Sequence, residues 1–156
     1  MKSLILTAIA SLAVAGGAFA QSMAVSENGS RDGMIGASEY FAGTAYVEPL
    51  FAANEPFQSN GGAVTFLPGA RSNWHTHPAG QVLIVTDGTG WVQEEGGEKI
   101  VIQPGDVIWT PPGVKHWHGA TDTTSVKHIA IQQYQDGENV VWMEPVTDDQ
   151  YAGDSG

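Results

Sequence analysis

The stretch NWHTHPAGQ, residues 73–81, places two histidines one residue apart and a glutamine four positions beyond the second histidine. The stretch PGVKHWHG, residues 112–119, contains a second pair of histidines with the same spacing. Residues i and i+2 of an extended strand lie on the same face of a sheet, so each pair can direct both imidazoles inward. The two stretches therefore predict two strands that carry histidines on an inner face.

The chain from residue 45 onward has the pattern of a compact all-β fold. Short apolar or alternating runs are separated by Gly, Pro, Asn and Asp, with turn signals such as Pro68-Gly69 and Asp87-Gly88 between them. Closure protects the edges of many short strands, so we expect a jelly-roll sandwich or a small barrel, with no helix beyond a short turn near the C-terminus. The predicted strands are 45–51, 63–67, 81–86, 90–93, 99–102, 107–109, 126–134 and 140–143.

All five histidines of the chain lie in this β-rich region. A lone histidine in a strand is usually a core residue with a hydrogen-bond partner, and this interpretation would suffice for His128 taken alone. It fits the two closely spaced pairs poorly, because burying several imidazoles without partners costs on the order of a few kcal/mol. A divalent ion would satisfy the imidazoles directly, so metal binding is the favoured hypothesis.

The spacing of these residues resembles the two motifs of the cupin superfamily. Residues 69–88 follow the pattern G-x5-HTH-x3-Q-x6-G of the first motif, with Gln81 in the usual position of Glu. Residues 105–120 follow the pattern G-x5-PPG-x2-H of the second motif, with Ala120 where Asn is common. The resemblance implies a cupin jelly-roll (double-stranded β-helix) barrel over residues 45–146. It also implies that four side chains bind one metal ion: His75, His77, Gln81 and His116.

Three imidazoles and one amide oxygen would leave one or two coordination positions open for water or substrate, as a catalytic ion needs. The neutral amide of Gln81 makes the site less negative than a carboxylate would, so the ion would be a stronger Lewis acid. The ligand set suits one divalent transition metal per chain. Manganese is the ion that we expect, and iron, zinc, nickel and cobalt are the alternatives.

A closer resemblance is to the small bacterial cupins with (R)-hydroxynitrile lyase activity, the group described as mandelonitrile lyase-like. Three stretches are similar to that group: HTHPAGQVLIVTDGTGWVQ (75–93), PGDVIWTPPGVKHWHGA (104–120) and VVWMEPVTDDQY (140–151). The resemblance implies that His118 and His128 line the cavity beside the metal. It also implies a lyase that cleaves or forms cyanohydrins.

Cyanohydrin cleavage requires a hydroxyl group to lose its proton while cyanide leaves. We expect the metal to bind the substrate oxygen, His128 to act as the base with Gln132 beside it, and His118 to assist at the leaving group or in proton relay. His118 lies about 7 Å along the strand from His116, so it can face the cavity without binding the ion. The alternative roles are orientation of a water molecule by His118 and an ordinary barrel-lining position for Gln132.

Two other functions fit the same residues. The open coordination positions would also serve a metal-dependent dioxygenase or isomerase that acts on a small oxygenated compound. A non-enzymatic binding protein would use the metal to hold a ligand or the fold. The two histidines outside the ligand set argue against that reading, because a purely structural ion has no use for them.

The two ends of the chain have different compositions from the β-rich region. Residues 1–20 have the features of a secretory signal peptide, with Lys2, an apolar run over 4–14 and a small-x-small site before the cleavage position near Ala20/Gln21. We therefore expect a periplasmic or secreted protein. Residues 21–44 predict an exposed or loosely docked N-terminal arm, and residues 147–156 predict a C-terminal tail.

Composition limits the partners of the protein. A net charge of −11 repels nucleic acid and anionic lipid, so we expect a small-molecule substrate, no nucleic acid and, after signal cleavage, no membrane binding. The chain has no cysteine, which excludes thiol chemistry and thiolate metal ligands. The strand face opposite His128 carries Ile129 and Ile131, and covering this apolar face predicts a homo-oligomer, either a dimer or a tetramer.

Overall fold

The computed structural model describes residues 22–153, and apart from one short helix the regular secondary structure of this part of the chain is β-strand. The predicted signal peptide lies outside the described residues. Within residues 22–153, no helix has the length and apolar character needed to cross a membrane. The elements in chain order are β1 (Met34–Ile35), β2 (Phe41–Ala42), β3 (Ala45–Phe51), β4 (Ser59–Phe66), β5 (Arg71–Ser72), β6 (His75–Thr76), β7 (Gln81–Gly88), β8 (Gly90–Glu94), β9 (Ile100–Ile102), β10 (Val107–Thr110), β11 (His116–Ala120), β12 (Val126–Gln133), β13 (Val141–Trp142) and α1 (Asp148–Ala152).

The strands form two sheets. The first sheet has the order β1-β3-β4-β12-β7-β10. The second has the order β13-β6-β11-β5-β2, and β8 joins it by pairing with both β11 and β9. The pairings described are antiparallel, and strands distant in sequence lie side by side, as β12 does between β4 and β7. The prediction of an all-β jelly-roll fold is confirmed.

The apolar core lies between the two sheets because each strand directs alternate residues inward. In β7, Leu83 and Val85 are buried whereas Val82 and Ile84 are only partly buried. Phe66 of β4 is fully buried in the same core, and burial of such a side chain contributes about 1.5–3 kcal/mol. The remaining members of this cluster come from both sheets and the loops that join them: Ala45, Val64, Ala70, Val92, Ile102, Ala120 and Val126.

The N-terminal segment docks on the barrel at several points. β1 pairs with β3, and β2 pairs with β5. Phe41 of β2 packs against the core, and Arg31 forms an ion pair of 3.0 Å with Glu48 of β3. The composition of residues 21–44 predicts only a loosely held arm, because its few apolar residues show no period. Residues 31–42 nevertheless belong to the folded barrel.

The C-terminal segment ends in a short helix. α1 begins after Thr147, whose hydroxyl accepts a hydrogen bond from the Gln150 backbone N–H at 3.1 Å, and Gln150 Oε1 accepts from the Thr147 backbone N–H at 2.9 Å. Tyr151 lies in a second core cluster with Trp117, and its hydroxyl donates to the Ala120 carbonyl at 2.9 Å. This part of the predicted tail is therefore packed on the domain.

Candidate active site

Two paired strands and a tight turn bring the histidine-rich stretches together. His116 of β11 is the direct partner of His75 in β6. The turn after β6 contains Gly80, which has φ 81°. A Cβ at Gly80 would lie 2.8 Å from the Thr110 carbonyl oxygen, so the turn requires glycine. The turn leads into β7, whose first residue is Gln81.

The four predicted metal ligands lie in one buried cluster. The ring centroids of His75 and His116 are 4.3 Å apart, those of His75 and His77 are 5.1 Å apart, and those of His77 and His116 are 5.6 Å apart. Gln81 Oε1 lies 3.1 Å from Nε2 of His116. The structure therefore brings together side chains from both predicted motifs.

Backbone carbonyls fix the tautomer of these three histidines. Nδ1 of His75 and Nδ1 of His116 each donate to the carbonyl two residues earlier, at 2.9 and 3.0 Å. Nδ1 of His77 donates to the carbonyl of Asn139 at 2.5 Å. A carbonyl only accepts, so the proton of each neutral imidazole lies on Nδ1 and Nε2 keeps a free lone pair. Metal-ligating histidines commonly have this arrangement.

The unpaired acceptors of the cluster fit a cation. Nε2 of His77 is buried and has no hydrogen-bond partner within the described residues. Nε2 of His116 faces Gln81 Oε1, so two acceptors lie 3.1 Å apart. Such lone pairs repel each other unless a cation lies near both. Three imidazole nitrogens and one amide oxygen are donors that suit a divalent transition metal, so the residues present fit the predicted ion.

His118 lies closer to this cluster than an idealised strand predicts. Its ring centroid is 5.2 Å from that of His75 and 6.0 Å from that of His116. One ring nitrogen from each of these three residues lies within 4.8 Å of the others, a spacing that could also hold a metal ion. The expected separation of about 7 Å assumed a flat strand, whereas the inner face of a barrel is concave. His118 is therefore a further candidate ligand.

Burial keeps the three imidazoles of the predicted ligand set neutral. It lowers the pKa of His77 to about 4, although the hydrogen bond to Asn139 raises the pKa. It also lowers the pKa of His116. Burial, followed by repulsion from His116, holds the pKa of His75 well below its ordinary value. Neutral imidazoles are the form that binds a metal.

A hydrogen-bonded pair of histidines lies next to the cluster. Nε2 of His128 is 3.1 Å from Nδ1 of His118. Burial lowers the pKa of His128 to about 4. Burial, together with repulsion from His128, holds the pKa of His118 well below its ordinary value. Both imidazoles are therefore neutral at pH 7, and one of them donates to the other.

A cavity of about 1080 Å³ opens beside these residues. His118 lines it together with the predicted ligands His75, His77 and Gln81, whereas His128 is fully buried and lies behind His118. Neither His128 nor the predicted ligand His116 is among the residues that line this cavity, because the sequence predicts a shared strand face but not the depth of each side chain. The other walls are mainly apolar and include Phe41, Val47, Leu50, Phe51, Val64, Val140 and Trp142.

Gln132 lines the same cavity but does not lie beside His128. It pairs in register with Gln81 of β7 and with Asn60 of β4. The two residues are four positions apart on β12, which is about 13 Å along a strand. Oε1 of Gln132 is buried without a hydrogen-bond partner in residues 22–153. The structure therefore places Gln132 next to Gln81, in a row of three amide side chains: Asn60, Gln132 and Gln81.

Sequence reasoning missed four residues around the site. Asn139 contributes its backbone carbonyl to His77, and this tertiary contact spans 62 residues and leaves no local signal. Asn60 has the same inward parity on β4 as Val64 and Phe66, which could have indicated its position on the cavity wall. Two residues of the predicted arm, Arg31 and Asp32, also line the cavity.

Comparisons with known proteins relate the chain to one protein family. Residues 62–132 match the model of the family described as "Cupin domain". The chain is 54% identical over 129 residues to a protein of Granulicella tundricola named "(R)-mandelonitrile lyase", covering 83% of this chain and 98% of that protein.

Solved structures show the same fold. A cupin-like protein of Thermotoga maritima is 38% identical and superposes with a TM-score of 0.73, covering 81% of this chain and 95% of that protein. A cupin-2 domain protein of Rhodospirillum rubrum is 15% identical with a TM-score of 0.64, covering 86% and 87%, and supports the fold alone. The expected jelly-roll architecture and the resemblance carried by the two motifs are both confirmed. The chain belongs to the cupin family.

Proposed function

We propose that this protein is an exported, metal-dependent lyase of the hydroxynitrile lyase type. The 54% identity to a protein named (R)-mandelonitrile lyase over nearly the whole of that relative supports a lyase that acts on a small molecule. The observation that carries the proposal is the neutral His118–His128 pair, which lies beside the candidate metal ligands at a large apolar cavity.

With His118 kept outside the ligand set so that its free nitrogen can transfer a proton, four side chains would hold the ion: His75, His77, Gln81 and His116. Their free Nε2 atoms and the Gln81 oxygen supply the donors, and a divalent metal there would act as a Lewis acid on a substrate oxygen. The amide of Gln81 adds no negative charge, which favours that role. Manganese remains the ion that we expect, with iron, zinc, nickel and cobalt as alternatives.

His118 is the residue that we assign to proton transfer, because it reaches the cavity wall whereas His128 does not. When Nδ1 of His118 donates to Nε2 of His128, the other nitrogen of His118 carries a free lone pair. In the cleavage direction, His118 accepts the proton of the substrate hydroxyl and the C–C bond to cyanide breaks. The products are an aldehyde and cyanide, which takes up the proton and leaves as hydrogen cyanide.

The cavity provides the rest of the binding site. Its apolar walls, with Phe41 and Trp142 among them, favour a substrate with an aromatic or other apolar group. Gln132 has an unpaired buried oxygen and can accept a hydrogen bond from a polar group of the ligand. His128 positions His118 from behind.

The reaction class is tested by supplying purified protein with (R)-mandelonitrile and measuring benzaldehyde and cyanide release, with the (S)-enantiomer as the matched substrate. We expect both products in equal amounts and a clear preference for the (R)-form. Oxygen uptake with a panel of phenols and enols is measured on the same preparation. Oxygen uptake without cyanide release would show that the protein is a dioxygenase and not a lyase.

We also propose that the protein is exported and assembles as a homo-oligomer. Its N-terminal twenty residues supply the signal, and N-terminal sequencing of periplasmic material is expected to begin near Gln21. The outer face of the first sheet carries Ile129 and Ile131, and the exposed Trp109 lies on the same sheet in β10. Light scattering is expected to give a dimer or tetramer, and a monomer at micromolar concentration would contradict the assembly.

A further inference from the structure

We infer that Asn60 and Asn139 form a positioning pair that sets the orientation of His77 and thereby the affinity of the metal site. The inference rests on the proposed metal site. It concerns two residues that neither of the two sequence motifs contains, and it predicts coupling between a cavity wall and a metal ligand.

His77 depends on tertiary structure in a way that the other two histidines do not. His75 and His116 donate to carbonyls two residues earlier in their own segments, so the local backbone alone orients their rings. His77 donates to the carbonyl of Asn139, 62 residues later in the chain. The direction of the free Nε2 of His77 is therefore set by whatever holds residue 139 in place.

The segment that carries Asn139 has little regular structure of its own. It follows β12 through a turn in which Asp136 and Gly137 both have positive φ, at 53° and 85°. It precedes β13, a strand of only two residues. Backbone pairing between Gln135 and Glu138 closes the turn but does not attach residue 139 to the barrel.

Two contacts attach this segment to the barrel: Val141 of β13 pairs with Thr76 of β6, and a hydrogen bond from the side chain of Asn139 reaches the first sheet. Nδ2 of Asn139 donates to Oδ1 of Asn60 at 3.0 Å. Asn60 is fixed on β4, where it pairs with Gln132 of β12. One continuous chain of contacts thus runs from the first sheet through Asn60 and Asn139 to Nδ1 of His77.

Loss of this link would loosen His77 without removing any metal ligand. Partners that orient a metal ligand typically contribute about 10–100-fold to metal affinity. We therefore expect Asn60→Ala and Asn139→Ala each to weaken Mn²⁺ binding by about tenfold or more. The double variant is expected to have the same Mn²⁺ affinity as the single variant that binds Mn²⁺ less tightly, because both changes remove the same hydrogen bond.

Two further variants separate positioning from general damage. Asn60→Asp keeps an oxygen that accepts from Asn139 and is expected to restore binding. Asn54→Ala is the matched control, since Asn54 lines the same cavity but its Oδ1 accepts from the Phe57 backbone N–H at 3.1 Å. Its affinity for Mn²⁺ is expected to equal that of the unmodified protein.

The experiment titrates each apoprotein with Mn²⁺ alone and follows free Mn²⁺ by electron paramagnetic resonance. NMR of ¹⁵N-histidine-labelled apoprotein reports exchange of the His77 Nδ1 proton, which is expected to be protected in the unmodified protein and to exchange faster in Asn60→Ala and Asn139→Ala. If Asn60→Ala does not fold, Asn60→Ser replaces it, because the shorter hydroxyl cannot reach Asn139.

The possible results distinguish this inference from the proposed function. Unchanged Mn²⁺ affinity and unchanged proton exchange in the alanine variants would overturn the positioning role and leave the metal-dependent lyase standing. If the losses of Mn²⁺ affinity in the two single variants add in the double variant, the inference would also be overturned, because additive losses show that the two residues act independently. Failure of the unmodified protein to bind Mn²⁺ or any of the alternative ions, iron, zinc, nickel and cobalt, would overturn the metal site and the inference with it.

Discussion

Replacement of His128 by alanine tests how the histidine pair works. His128 lies behind His118, with its Nε2 3.1 Å from Nδ1 of His118, so the change removes no group from the cavity wall. It does free the His118 ring to rotate, and it leaves the buried Nδ1 of His118 without its hydrogen-bond partner. We expect lyase activity to fall although substrate and metal binding persist.

The size of the effect follows from this geometry. A residue that orients a reacting group from behind typically contributes about 10–100-fold. Since a tenfold change in rate equals about 1.36 kcal/mol, the barrier is expected to rise by about 1.4–2.7 kcal/mol. Removing the buried partner of His118 also costs about 1–3 kcal/mol of folding stability. The rate loss is expected in kcat, with little change in KM.

The matched variant is His128→Gln, whose side-chain oxygen can accept from Nδ1 of His118 but cannot take up a proton at pH 7. It is expected to recover most of the lost kcat. The assay measures cyanide release from (R)-mandelonitrile at saturating substrate, with metal content determined on the same samples. Full activity of His128→Ala at full metal occupancy would refute any role for His128, and a glutamine variant as slow as the alanine variant would refute positioning.

Three further predictions concern other parts of the structure. Gln81→Glu is expected to bind metal at least as tightly and to lose tenfold or more of its lyase activity, measured as kcat at full occupancy, because the added carboxylate weakens the Lewis acid; full activity would contradict this role. Tyr151→Phe is expected to lower the free energy of unfolding by about 1 kcal/mol in urea, because the buried Ala120 carbonyl loses its donor, and an unchanged urea midpoint would count against this contact. The apoprotein is expected to lose stability as pH falls from about 6.5 towards 4. The folded-state pKa of both His77 and His128 is about 4, so the histidines of the unfolded chain take up protons at a higher pH than those of the folded chain. A thermal unfolding temperature that stays constant over this pH range would contradict this prediction.

The fold was largely predictable because local patterns carry it. β3 coincides with the predicted run 45–51, and β7 and β12 begin at the predicted residues. β11 was predicted from its pair of histidines and not from an apolar run, for a physical reason. All residues of β11 are buried, including its two histidines, so no alternation of apolar and polar residues marks it.

The candidate site was predictable to the extent that it lies within the two motifs. The spacing of His75, His77 and Gln81 within one short stretch requires them to be neighbours, and strand pairing adds His116. The depth of each side chain in the barrel and the curvature of the sheet do not follow from the spacing of residues in the sequence. The sequence could not show that a concave face brings His118 within reach of the cluster, or that Gln132 lies beside Gln81.

Contacts made by irregular segments were the least predictable part. Arg31 lies in a segment without hydrophobic period, yet it lines the cavity and pairs with Glu48 at 3.0 Å. The hydrogen bond between Asn60 and Asn139 joins residues 79 positions apart. Such contacts depend on the packing of the whole barrel, and no local rule of spacing or composition predicts them.

The most direct test of the central claim measures cyanide release from (R)-mandelonitrile by one preparation before metal extraction, after extraction, and after reloading with Mn²⁺, with metal content determined at each step. A metal-dependent lyase predicts that activity disappears with the ion and returns in proportion to occupancy, up to one ion per chain. Undiminished cyanide release by the metal-free protein would contradict the metal site as the centre of the reaction. A fully loaded protein that releases no cyanide would contradict the lyase itself.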